Sequence, residues 1–175
     1  MRSILDIFDL HAMLHLWLAG IRTELDSSIA LFNLCDSRAK KYVYSNAYNL
    51  VCALTVISKQ ICTSRMTDKM NVQLSEGEGI ACMSLSFRSE VNVSEYGEIS
   101  MPDFSAALEF NREAIEYCTQ MAQASNFEIK FYRDGNLFYF DFIFGKPQRA
   151  PSRHSLHSGL DFSIHELIIK SLSRF

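Results

Sequence analysis

The sequence predicts an α+β fold, in which an N-terminal antiparallel helical hairpin precedes a small antiparallel sheet packed on a helix, with a short C-terminal helix. Three observations predict it. Apolar residues recur at helical spacing over residues 3–65. The period then shortens to two residues between 71 and 93, which is typical of strands. The segment Phe127–Phe144 alternates as a β-hairpin with one face made only of Phe and Ile.

Composition narrows the function classes. The chain has 175 residues, 48% of them hydrophobic, and a net charge of −3. A charge of this sign disfavours a nucleic-acid partner, because phosphate backbones call for a basic excess. The longest apolar run, Leu10–Ile21, is shorter than the ~20 residues of a membrane span, and no signal peptide precedes it. We therefore expect a soluble cytoplasmic protein that contacts neither nucleic acid nor membrane.

The five cysteines point to the same compartment. Their number is odd and no pair has CxxC spacing. They lie within apolar patterns, which is typical of buried free thiols in a reducing environment. None stands in a basic or helix-start context that would activate it, and GxSxG is absent, so the sequence predicts neither a nucleophile nor a cofactor.

The first two predicted elements are long helices. One covers residues 3 to about 34, with Gly20 and Asp26-Ser27-Ser28 as points where it bends or divides. The second begins at the N-cap signal Asp36-Ser37 and runs to about Arg65. Together they predict a helical hairpin over residues 1–66, followed by an α+β part over 67–175 within one structural domain.

This predicted hairpin is apolar over more than one face. A helix pair with more apolar surface than one packing partner needs tends to bury the excess against another molecule. We therefore expect a protein partner, in the first place a second copy of the chain as a homodimer. Aromatic side chains are frequent interface anchors, so the candidates are Trp17, Tyr44 and Tyr48.

The next elements follow from the change of period. Asn71–Glu76 and Ile80–Val93 predict strands on either side of a Gly-containing turn. Pro102 predicts the first turn of a helix that runs to about Ala124. Residues 145–160 contain two prolines and predict a linker, and residues 161–175 predict a terminal helix capped by Asp161 or Ser163.

The aromatic hairpin is predicted to close on Asp134-Gly135 as a two-residue turn, because both residues accept positive φ. In that register Phe131 pairs with Phe138 and Ile129 with Phe140. Its second face is mixed and polar, and comprises Glu128, Lys130, Tyr132, Leu137, Tyr139 and Asp141.

His11 and His15 are the first candidate site. Spaced four apart on a helix, they point the same way, which permits half of a transition-metal site whose other ligands would be His154, His157 and His165. The alternative is two rings at the edge of an apolar stripe, packed or half-exposed beside Trp17. The helical start followed by an α+β part also resembles the order of parts in bacterial histidine kinases and their phosphotransfer relatives. That resemblance implies a signalling domain with His11 or His15 as phosphoacceptor. The residues after them are Ala12 and Leu16, not the family's usual acid, and a Gly-rich ATP lid is absent.

The second candidate site lies on the hairpin. Pro102-Asp103 with Glu128-Ile129-Lys130 resembles the PD…ExK signature of metal-dependent nucleases. The resemblance implies that carboxylates, including Asp141, hold Mg²⁺ while Lys130 activates water. The alternative is a solvated sheet face with a lysine between two acids.

The favoured function is a small intracellular interaction or regulatory module without catalysis of its own. Two alternatives stay open: a histidine phosphotransfer domain of the histidine-kinase type, and a metal-dependent phosphodiesterase or nuclease.

Overall fold

The computed structural model describes residues 5–25, 33–35, 41–64, 70–77, 79–91, 94, 96–145 and 163–175. Eight strands and five helices alternate along these residues, in the order β1 (Asp6–Asp9), α1 (Leu10–Glu24), β2 (Asn33–Cys35), β3 (Tyr42–Ser45), α2 (Ala47–Thr63), β4 (Asn71–Gly77), β5 (Ile80–Arg88), β6 (Tyr96–Glu98), α3 (Met101–Leu108), α4 (Arg112–Gln123), β7 (Phe127–Asp134), β8 (Leu137–Gly145) and α5 (Ile164–Leu172). No helix in these ranges is both long and apolar enough to cross a membrane.

The main sheet has six strands in the order β2-β4-β5-β8-β7-β6. Five of them pair antiparallel, and β2 joins the edge parallel to β4. A separate two-stranded sheet pairs β1 with β3 antiparallel. A sheet with one apolar face must bury that face against another layer, and here the second layer is helical.

The core lies between the sheet and the helices. Phe138, Phe140, Phe142 and Phe144 on β8 are fully buried, as alternation along a half-buried strand requires. Phe104 of α3 meets Phe140 at 4.8 Å between ring centroids in an edge-to-face arrangement. α2 lies in the middle of the helical layer and contacts α4 and α5, and α5 in turn contacts α1.

The predicted N-terminal helical hairpin is wrong. Asp9 accepts hydrogen bonds from the backbone N–H groups of His11 and Ala12, so α1 begins only at Leu10. The residues before it form β1, which pairs with β3 across the two-stranded sheet. With β2 and β3 lying between α1 and α2, the two helices are not a hairpin, and the sheet they pack near is larger than expected.

The second helix also begins later than predicted. The predicted N-cap Asp36-Ser37 falls outside the described residues, and the observed cap of α2 is Asn46, whose side chain accepts from the backbone N–H of Asn49. Gly20 does not divide α1. It lets α5 approach, because a Cβ placed there would lie 2.7 Å from Ile168 Cδ1.

The side chains that led to the homodimer prediction lie largely inside the chain's own fold. Trp17 is fully buried and donates its indole N–H to Thr55 Oγ1 at 3.1 Å. Tyr48 packs partly buried against the core, and Tyr44 is 40% exposed. The apolar surface expected to face a second copy is therefore covered largely by α5, α4 and the sheet.

The helix predicted over Pro102–Ala124 is two helices. Glu109 adopts the left-handed conformation with φ of 56° and caps α3 by donating its N–H to Ala106 O. Asn111 then caps α4 by accepting from the N–H groups of Glu113 and Ala114. A polar residue that stops one helix and another that starts the next divide what the periodicity shows as one element.

The aromatic hairpin forms, with a register two residues from the prediction. Phe131 pairs with Phe140, and the two-residue turn is Gly135-Asn136, with Gly135 at φ of 60°. A glycine at the first central position is typical of a type II′ turn. Because side chains alternate with a period of two, a shift by two residues leaves the Phe face intact.

A buried polar junction joins α2 to the turn between α4 and β7. Asn49 donates its side-chain N–H to Ser125 Oγ at 2.7 Å, and Ser45 Oγ donates to the Ser125 carbonyl. All three residues are almost completely buried. The junction therefore fixes the start of α2 against the start of the aromatic hairpin.

Replacing Ser125 by Ala should destabilise the fold by about 1–3 kcal/mol, because the Asn49 amide loses its acceptor and stays buried. Urea unfolding followed by circular dichroism measures the change. Ser173→Ala is the matched control, since Ser173 is exposed, and it should stay within about 0.5 kcal/mol of the original. Equal stabilities of the two variants would contradict the role of this junction.

Candidate functional site

A cavity of about 200 Å³ opens at one end of the helical layer. Three segments meet there: the C-terminal end of α2, the chain directly after β5, and the end of α3. Its lining residues are small, polar or apolar, and comprise Gln60, Thr63, Ser64, Ser89, Val91, Ala107, Leu108 and Glu109.

Local hydrogen bonds fix the shape of this cavity. Ser64 caps the end of α2, with its hydroxyl on the Ile61 carbonyl at 2.7 Å. Gln60 accepts the backbone N–H of Asn111 at 2.9 Å, which ties α2 to the start of α4. The Ser89 N–H donates to Asn136 O, and Ser89 Oγ accepts from the Val91 N–H. The end of α2 and the chain after β5 are thus each held in place by hydrogen bonds to the backbone.

The charge of the cavity is low. Among its described lining residues Glu109 alone carries a formal charge, and it stands at the exposed edge. Hydroxyl and amide groups supply the other polar contacts, while Val91 and Leu108 supply apolar surface. Such a mixture suits a flat ring with hydrogen-bonding edges better than a bare polyanion.

The predicted nuclease site does not form. Lys130 lies directly across from Asp141, whereas Glu128 lies across from Ile143. Asp141 accepts a hydrogen bond from Ser84 Oγ at 2.5 Å, and Lys130 Nζ lies 3.9 Å from Glu98 Oε2. The face is a pattern of paired polar side chains.

Asp103, from the Pro102-Asp103 part of the nuclease signature, lies on α3 and not on the hairpin that carries the other carboxylates. Asp103 lies in the first turn of α3, where its Oδ2 accepts from Ser100 Oγ. Over the described part of the chain, no group of three or more His, Cys, Asp or Glu side chains is arranged to hold a metal ion. The described residues therefore do not bring together the carboxylates that the phosphodiesterase interpretation requires.

The two histidines of α1 do come together. The Nε2 atoms of His11 and His15 lie 3.2 Å apart, and the rings meet edge to face at 4.4 Å between centroids. His165 instead contacts Glu24, with 2.8 Å between Nε2 and Oε1. His154 and His157 fall outside the described residues.

Burial lowers the reactivity of the four thiols whose surroundings the structure describes. Burial raises the pKa of Cys62 to about 11, and it also raises the pKa values of Cys52, Cys82 and Cys118. A raised pKa keeps a thiol protonated at neutral pH, and the thiolate is the nucleophile. These four cysteines are therefore structural.

Comparison with known proteins identifies the fold. No family model and no curated protein matches the sequence. Solved structures do match: the histidine kinase AdeS of Acinetobacter baumannii aligns over 85% of this chain and 70% of its own, with 12% identity and a TM-score of 0.62. The catalytic domain of the histidine kinase ThkA aligns over 82% of this chain and 97% of its own, with 13% identity and a TM-score of 0.62.

A third structure contains a nucleotide analogue. Full-length ShkA in complex with AMPPNP aligns over 87% of this chain and 34% of its own, with 13% identity and a TM-score of 0.64. ThkA has also been solved in complex with the response regulator protein TrrA. The fold of this chain is thus the α/β sandwich of histidine kinase catalytic domains, with five antiparallel strands and a helical layer.

This result corrects the favoured function. The prediction of an interaction module without catalysis is overturned, because the structures that share the fold are histidine kinases and one of them is a catalytic domain. The comparison favours the histidine-kinase-like alternative. It does not favour a phosphotransfer domain, and the helical hairpin expected to present the phosphoacceptor does not form.

The cavity residues were missed at the level of sequence. They come from three separate segments, and none belongs to a spaced pattern of titratable groups. No direct signal for them is present in the sequence, because the helix end at Glu109 lies within what the periodicity predicts as one continuous helix.

Cys62 should react with iodoacetamide about 100-fold more slowly at pH 8 than the same cysteine in urea-unfolded protein, because its pKa near 11 leaves little thiolate. The rate should rise about tenfold per pH unit toward pH 10. Peptide mapping by mass spectrometry gives the rate for each cysteine. Equal rates in folded and unfolded protein would contradict the burial of this thiol.

Proposed function

We propose that this chain is a signalling domain of the histidine-kinase type that binds a purine nucleotide in the cavity between α2, β5 and α3. The observation that carries the proposal is this built cavity in a fold shared with histidine kinase catalytic domains. The AMPPNP bound by ShkA supports the choice of ligand class.

The lining fits the base and sugar end of a nucleotide. Val91, Ala107 and Leu108 offer apolar surface to a flat ring, and the hydroxyls of Thr63 and Ser64 offer partners for ring nitrogens and ribose. At about 200 Å³ the cavity is smaller than the roughly 300–1,000 Å³ of typical ligand pockets, so the phosphates extend outside it.

The described residues near the cavity offer few contacts to the phosphates of a bound nucleotide. The first N–H groups of α4 near the cavity already have partners, in Gln60 Oε1 and Asn111 Oδ1. Glu109 at the rim carries negative charge, which favours a phosphate chain neutralised by a divalent cation. When bound, a nucleoside triphosphate supplies a transferable phosphoryl group, while the residues of this chain hold and orient the base.

A protein partner follows from this proposal. Signalling kinases pass a phosphoryl group to another protein, and the kinase ThkA has been solved with a response regulator. We extend that class of partner, a response regulator protein, to this chain as part of the proposed function.

Filling the cavity should abolish nucleotide binding. Ala107→Phe places a phenyl ring on the lining and should weaken the binding of AMPPNP and ADP at least about tenfold by calorimetry, since the base loses its space. The matched control is Ala106→Phe, the same substitution one residue earlier on α3 at an exposed position, which should bind as the original does.

Adenosine tests the mode of binding. If the base and ribose occupy the cavity, adenosine should compete with ADP, and Ala107→Phe should abolish that competition as well. Failure of the original protein to bind AMPPNP, ADP or adenosine at millimolar concentration, with folding verified by circular dichroism, would contradict the proposal.

A further inference from the structure

We propose that His11 and His15 form a bidentate surface site for a divalent transition-metal ion of the Cu²⁺, Ni²⁺ and Zn²⁺ class. The proposal is independent of nucleotide binding. It rests on the geometry of the two rings on α1 and on the rigidity of that helix.

The helix that carries the pair is firmly held. The side of the helix next to the pair is buried in the core through six side chains, Leu10, Met13, Leu14, Trp17, Leu18 and Ile21. Asp9 caps its first turn, and Leu10 N–H donates to the Lys41 carbonyl at 2.7 Å. Residues four apart lie one turn above each other on the same side of a helix. The two imidazoles are therefore placed together before any ligand arrives.

The spacing of the ring nitrogens matches chelation. With metal–nitrogen bonds of about 2.0–2.1 Å, Nε2 atoms 3.2 Å apart subtend an angle of about 100° at a shared ion. That angle lies between the right angle of octahedral or square-planar coordination and the tetrahedral angle. Binding one ion through both Nε2 atoms requires the two rings to turn so that both lone pairs converge on it, with the Nε2 atoms kept close to their present distance.

The same spacing also describes a hydrogen bond between the rings when no metal is bound. In that state one ring carries its proton on Nε2 and donates to the Nε2 lone pair of the other. To bind a metal through both Nε2 atoms, the donating ring moves its proton to Nδ1. Each Nε2 atom then has a lone pair that can bind the ion.

The ligand type selects the metal. Imidazole nitrogen favours Cu²⁺, Ni²⁺ and Zn²⁺ over Mg²⁺ and Ca²⁺, and the usual order of affinity places Cu²⁺ first. His15 is exposed and His11 is half-buried, so an ion reaches the pair from solvent. Among the residues described here, no group of three or more His, Cys, Asp or Glu side chains is arranged to hold a metal ion, so the proposed site has two protein ligands from this part of the chain.

Calorimetric titration of the full chain with CuCl₂, NiCl₂ and MgCl₂ tests the site. We expect one ion per chain, with Cu²⁺ tightest and no heat from Mg²⁺. His11→Ala and His15→Ala should each weaken Cu²⁺ binding roughly 100-fold, because each removes the chelate and leaves a single imidazole. His165→Ala is the matched control, since this exposed histidine pairs with Glu24, and it should bind Cu²⁺ as the original does.

Electron paramagnetic resonance gives a readout that folding alone does not change. The Cu²⁺ spectrum should show superhyperfine splitting from two imidazole nitrogens in the original protein and from one in each single variant. Binding that persists in the His11→Ala, His15→Ala double variant and disappears in a His154→Ala, His157→Ala variant would overturn the proposal. Binding that is equal in all variants would mean an adventitious ion only and would overturn it too.

Discussion

Burial of α2 on every side is the constraint on which the rest of the structure depends. Twelve of its seventeen residues are buried, so its polar side chains are largely shut off from water, and the buried ones other than Ser58 bond to neighbouring elements. Asn49 contacts Ser125, Thr55 accepts the indole N–H of Trp17, and Gln60 accepts from Asn111. Lys59 donates to the carbonyls of Leu172 and Phe175. Through these bonds one helix sets the positions of α1, α4, α5 and the start of β7.

Several elements of the C-terminal half could be predicted from the sequence with good accuracy. The Phe face of the hairpin, the strands at 71–77 and 80–88 and the terminal helix are each encoded by local periodicity, which adjacent residues are enough to define. The hairpin register was displaced by two residues, because Asp134-Gly135 and Gly135-Asn136 are both good turn pairs and only the pairing of the whole strand decides between them. The faces survived that error, since the shift was an even number.

The N-terminal half was predicted poorly for a physical reason. A helix buried on every side and one that faces a second molecule have the same broad apolar pattern, so α2 was assigned to a dimer interface that its own chain covers. The short strands β1 and β3 have only four residues each, and their pairing joins segments far apart in sequence. A helix capped from within an apolar run, as α1 is by Asp9, gives no change of period to mark its start. The cavity was not predicted for the same reason, because it is lined by three segments that lie far apart in the sequence.

The way polar groups are satisfied also decides where chemistry can occur. The open face of the sheet offers the most obvious constellation, but its groups satisfy each other: Ser84 bonds Asp141, and Lys130 lies between Asp141 and Glu98. Pairs of this kind at a surface contribute little to stability. Both proposed sites lie instead at the margins of the helical layer. One is the end of α2, where the helix runs out of packing partners and a cavity opens. The other is the outer side of α1, where two rings meet because the inner side holds the helix still. The buried helices and the sheet hold the backbone in place, and both proposed binding sites lie at the edge of the helical layer.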